Sequence, residues 1–151
     1  MRLPLGEACS RRYDRRMAGF TTLELQALEA MAESQSGPAP NLAALLETAI
    51  VTSRENTGFG FFTRFEVDRS RPPVARINKA FGVGEMILAQ LTVELRGKVL
   101  LMSFILHRDA SAYPVCLEGY QAAALDATGK VVDGYFDLRD DDLAALVANR
   151  S

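Results

Sequence analysis

Along this chain the hydrophobic pattern changes period once, from helical to extended. Between Thr21 and Ser34, Leu25, Leu28 and Met31 recur at helical spacing, and Thr21 and Glu24 stand three apart as a capping box requires. Ser36-Gly37-Pro38-Ala39-Pro40 ends that helix. Asn41 then caps a short second helix carrying Leu42, Leu45 and Leu46 on one face. From Ile50 the pattern is extended. Residues 50–55 and 59–68 read as strands around an Asn56-Thr57-Gly58 hairpin turn, with Gly58 supplying a positive φ. In the second of these strands Phe59, Phe61, Phe65 and Val67 form an inward face. Ser70-Arg71-Pro72-Pro73 stops it, and a loop runs on to Phe81-Gly82-Val83-Gly84.

The second half alternates more cleanly. Ile87, Ala89, Leu91, Val93 and Leu95 point one way, and Gln90, Thr92, Glu94 and Arg96 the other, as in a half-buried antiparallel strand. A turn at Gly97-Lys98 leads to Val99–His107, apolar enough for the sheet centre. After a turn at 108–111, residues 113–120 return as a strand with Val115 and Leu117 inward. Ala127-Thr128-Gly129-Lys130 turns again, and 131–138 reads as a last strand. Asp140, Asp141 and Asp142 open a C-terminal helix striped by Leu143, Leu146 and Val147, with acids where the helix dipole favours them. Helices segregated from strands, and strands joined by short turns, predict an α+β fold. Its antiparallel meander has five to six strands, flanked by two N-terminal helices and one C-terminal helix.

Composition bounds this reading. With 151 residues, one domain is expected, and 48% apolar against 24% charged residues is the balance of a globular chain, not a disordered one. The longest strongly apolar run, Val99–Leu106, is far too short to span a bilayer. The net charge of −2 argues against nucleic acid. That charge is uneven, with +3 on residues 1–16 and −5 on the remainder. The Arg-rich head lacks an apolar signal region, and Met17 offers a start of its own. Residues 1–16 therefore read as a disordered or non-native extension, and residues 17–151 as the single domain. Two cysteines, Cys9 in the head and Cys116 in a strand, make no disulfide framework, so a cytoplasmic setting is expected.

The candidate chemistry is sparse. His107 is the single histidine, and there is no zinc motif and no phosphate loop, so no metal and no cofactor is expected. The densest polar run is Ser53-Arg54-Glu55-Asn56-Thr57-Gly58. Arg54 suits a carboxylate or phosphate, Glu55 a base or ligand, and Asn56 the orientation of a substrate. The same residues also suit a solvated hairpin mouth. Glu118 sits on the polar alternate of its strand beside Cys116 and Tyr120, and becomes a candidate base or ligand if that face holds a cavity. His107 and Cys116 fall on neighbouring strands. A four-residue loop at 108–111 pairs His107 with Ala112 and puts Cys116 about 13 Å away at the rise of a strand. A register pairing His107 with Pro114 puts Cys116 on the diagonal, about 7 Å off. Either way a buried structural cysteine and an end-of-strand histidine are expected. Two segments, Ser53-Arg54-Glu55-Asn56-Thr57-Gly58-Phe59-Gly60-Phe61-Phe62-Thr63 and Leu117-Glu118-Gly119-Tyr120, resemble a pattern of small uncharacterised bacterial proteins. The resemblance spans about residues 42–125 and implies no activity.

The reading therefore leans away from an enzyme. It favours a non-enzymatic interaction or binding protein, a regulatory or immunity-type partner that self-associates as a homodimer or holds another protein. The alternative is a small-molecule-binding domain or minor enzyme, with a polar pocket built from Arg54, Glu55, Asn56 and Glu118. Convergence of those four side chains in one cleft favours the pocket; an exposed apolar face favours the protein partner.

Overall fold

The structure, a computed structural model, describes residues 19–77, 82–83, 86–132 and 137–149. Helices α1 (Thr22–Ser34) and α2 (Leu42–Leu46) precede strands β1 (Ile50–Asn56), β2 (Gly60–Glu66), β3 (Gly82–Val83), β4 (Met86–Leu95), β5 (Lys98–Arg108), β6 (Pro114–Leu125) and β7 (Val131–Val132). Helix α3 (Asp140–Ala145) follows. The predicted head, residues 1–16 with Cys9, lies outside the described residues. The predicted last strand is realised at Val131–Val132, and residues 133–136 lie outside the description. No helix among the described residues is long and apolar enough to cross a membrane.

The chain forms one antiparallel sheet in the order β1-β2-β6-β5-β4-β3, with β7 on the end of β6, so the α+β expectation holds. The meander covers β3 to β6, while the β1–β2 hairpin joins at β6 rather than beside β3. The connection from β2 therefore runs to the opposite edge of the sheet, across the turn that follows β5. There the Val74 N–H donates to Ala112 O, the Tyr113 hydroxyl donates to Arg69 O and Arg71 O, and Arg108 donates to Val74 O. Arg69 pairs with Asp109 at 2.7 Å and lies over the Tyr113 ring.

Alternation decides which face is covered. Phe61, Thr63 and Phe65 of β2 point to the helix side with Leu117 and Gln121 of β6. Leu100, Met102, Phe104 and Leu106 of β5 and Ile87 and Val93 of β4 complete that wall. Against it lie Leu23, Ala27, Leu28 and Met31 of α1, Leu42, Leu45 and Leu46 of α2, and Leu143 of α3. The capping box predicted at Thr21 and Glu24 is present. The turn after β4 falls at Arg96 and Gly97, both at positive φ, one residue earlier than predicted. Two of these turn residues at positive φ match the twist of a tight hairpin.

The alternate residues form the other face: Met86, Leu88, Leu101, Ile105, Phe62 and Tyr120, with Glu118, His107 and Arg64 among them. Its large apolar members lie outside the core cluster and are half-buried, interleaved with Gln90, Ser103 and Cys116. Phe59, predicted inward, is 40% exposed and stacks on Tyr120 with ring centroids 6.4 Å apart.

Gly119 sits on the helix side of the sheet between Phe61 of β2 and Phe104 of β5, its partners on the two neighbouring strands. A Cβ there would lie 2.6 Å from the Phe61 ring and 3.0 Å from the Phe104 ring. Both rings are fixed in the core, 6.2 Å apart, so neither yields freely. Gly119→Ala is expected to destabilise the fold by about 1–3 kcal/mol, the usual cost of overpacking. Urea unfolding checks it, through a lower midpoint at an unchanged slope.

Candidate functional site

The structure separates the four predicted site residues. Arg54 reaches to the helix side of the sheet while staying partly exposed. Its Nε and Nη2 donate to the two carboxylate oxygens of Glu24 at 2.9 and 2.5 Å, and Nη2 also donates to Gly19 O at 2.7 Å. Glu24 is 1% exposed. The Thr63 hydroxyl donates to it as well, and the Thr21 N–H donates to it at 2.8 Å as part of the helix cap. Arg54 therefore anchors α1 to the sheet. Asn56 is also held internally: its Nδ2 donates to Leu138 O at 2.9 Å and Asp140 Oδ1 at 3.0 Å, while its Oδ1 accepts from the Gly58 N–H. It ties the hairpin to the segment entering α3.

Glu55 and Glu118 lie on the uncovered face. Register places Glu55 opposite Phe62, and Phe62 opposite Glu118. The two carboxylates are thus two strand spacings apart, about 10 Å, with an aromatic ring between them. Glu55 is exposed on the edge strand. Glu118 is 25% exposed, and its Oε1 lies 3.0 Å from His107 Nε2. Its second oxygen carries no hydrogen bond among the described residues.

Glu118 lines a hollow of about 340 Å³ with Phe59, Phe61, Phe62, Ile105 and Tyr120. A second hollow of about 430 Å³ adjoins it, sharing Ile105 and Tyr120 and extending over Leu88 and Ser103. Sequence alternation marked Glu118, on the condition that its face held a cavity. It did not mark Phe59, Phe62, Ile105 or Leu88, whose partnership exists only across β2, β6, β5 and β4.

His107 corrects the expected register. It stands directly opposite Cys116, because an irregularity between His107 and Arg108 shifts the pairing. Cys116, His107 and Glu118 are therefore neighbours on one face, not separated along it. The Cys116 thiol is nevertheless poorly set to react. Burial pushes its pKa above the ordinary 9.0 and Glu118 adds to this, with Arg64 opposing. His107, Asp109 and Ser111 form no triad: Asp109 accepts from the backbone N–H groups of Ser111 and Tyr113 and from Arg69. Those donors, Arg69 foremost, hold its carboxyl below the ordinary 3.8. The described residues hold no cluster of three or more metal-ligating side chains.

Compared with family models, with curated proteins and with solved structures, the chain matches none.

Two outcomes follow from these placements. Arg54→Ala leaves the Glu24 carboxylate buried without its cation, and is expected to cost about 3–5 kcal/mol of stability in chemical denaturation. Adding Glu24→Gln to that variant restores part of the loss. In a Cys9→Ser background, Cys116 of the native protein is expected to react with iodoacetamide on the order of tenfold more slowly than in the unfolded chain. Because the native thiol keeps its proton to higher pH than the unfolded one, its stabilising contribution is complete below pH 9.0 and is lost as pH rises beyond it. The same loss is absent in Cys116→Ser.

Proposed function

We propose that this protein is a non-enzymatic binding protein, of the regulatory or immunity type, and that it holds a polypeptide partner on the uncovered face of its sheet. The observation that carries the reading is one-sided coverage. The described helices lie on one face, while Met86, Leu88, Leu101, Ile105, Phe62 and Tyr120 of the other stand outside the core cluster. An antiparallel sheet commonly turns a polar face to water. Here Leu88, Ile105, Phe62 and Tyr120 stand among Gln90, Ser103, Glu118 and Arg64, and half-buried apolar side chains on such a face mark an interaction surface. Two hollows that adjoin across Ile105 and Tyr120 suit successive side chains of a segment laid over the strands. The rival polar pocket has less support, since Arg54 and Asn56 are engaged on the opposite face.

Panning a displayed random-peptide library on the immobilised full chain tests this reading. Ile105→Lys places a charge in the wall common to both hollows, on a face whose packing the core does not use. Peptides enriched on the unaltered protein are expected to lose their binding to this variant. Equal retention of every enriched peptide by Ile105→Lys overturns the reading, provided the variant unfolds at the same urea concentration.

A further inference from the structure

We infer that the side chain anchoring such a partner is an arginine, its guanidinium seated on the aromatic rings of the smaller hollow and paired with Glu118. The inference rests on the binding reading above and specifies the chemistry of the partner.

The hollow combines two features that select a cation. Phe59, Phe62 and Tyr120 give it aromatic walls, and the ring faces attract positive charge. Glu118 is the one ionisable acid or base in its lining besides the Tyr120 phenol, and half of its carboxylate is engaged by His107. A purely apolar side chain placed here would strip water from the other oxygen and return no hydrogen bond, which is penalised. An anion would meet Glu118 directly, with Glu55 beyond Phe62 in the same row. A guanidinium avoids both costs. It stacks flat on an aromatic face, and its N–H groups replace the water lost from Glu118. An ammonium supplies the charge but not the flat stacking surface, which favours arginine over lysine.

The basic side chains already facing this region are Arg64 and His107. Arg64 stands one position further along the same face of β2 from Phe62, opposite Cys116, and is exposed. It is the fixed charge that an incoming arginine must approach. The adjoining hollow, lined by Leu88, Ile105 and Tyr120 with the hydrogen-bonded Gln90 and Ser103, takes the residue next to the arginine.

The test is an NMR titration of the full-length, isotope-labelled protein with acetyl-Leu-Arg-Leu-amide. A second titration uses the same peptide with citrulline, the neutral isostere of arginine. The arginine peptide is expected to shift the amides of Phe59, Phe62, Glu118 and Tyr120 and to bind about tenfold more tightly than the citrulline peptide. Glu118→Gln is expected to bring the two within about twofold, and Arg64→Gln to widen the gap, because each changes only local charge. Equal affinity of both peptides at those amides overturns the inference while leaving the binding face intact. Failure of both peptides to shift those amides at millimolar concentration also overturns it, and the panning result then judges the face separately. Shifts of the same amides on dilution of the protein alone assign the face to a second copy of this chain and likewise overturn it.

Discussion

A carboxylate with almost no contact with water holds the architecture together. Glu24 lies in the first turn of α1, pointed at the sheet. A buried charge of this kind is tolerated only when it is paired and its lone pairs are filled. Arg54 from β1, Thr63 from β2 and the cap N–H of Thr21 fill them. Three separate stretches of chain are thus fixed to one side chain, and the helix cannot slide or rotate without leaving that charge unpaired. Once α1 is fixed there, Leu23, Ala27, Leu28 and Met31 meet the apolar wall of β2, β5 and β4. The same constraint puts the described helices on one side of the sheet, and the candidate site lies on the other.

Most elements were legible from local pattern. The capping box, the stripe of α1, the strict alternation of β4 and the apolar run of β5 each declare themselves within about ten residues, and each lies close to its expected place. Sheet order was not legible. The pairing of β2 with β6 depends on Phe61 and Gly119 fitting together, and nothing near either residue in the sequence records that fit. The hairpin phenylalanines show the same limit. Phe59 belongs by spacing to the inward set, but the chain has not yet entered the strand there, and its ring turns outward to Tyr120.

The site was legible only in part, for the same reason. Glu118 was marked by alternation alone, because a polar residue between Leu117 and Gly119 must lie on the opposite face from the core. Arg54 and Asn56 looked like site residues because they sit together in a polar hairpin. Their partners lie thirty and more than eighty residues away, at Glu24, Leu138 and Asp140, and turn those polar groups into internal ties. His107 and Cys116 were separated by counting loop residues. One irregularity at the end of β5 cancels that count and sets them opposite each other.

The junction of β2 with β6 also orders events in time. Hairpins formed by β4–β5 and β5–β6 close over short stretches, and such contacts form early. The β1–β2 hairpin is equally local, yet the strand it needs as a neighbour begins at Pro114, about fifty residues beyond it. During synthesis, which runs from the N-terminus, α1, α2 and that hairpin leave the ribosome with no sheet to join. Phe61 has no β6 partner until Pro114–Leu125 emerge. The hairpin ending at Glu66 waits for a strand that begins at Pro114, and this interval, more than the finished fold, is when its unpaired edge is open to aggregation.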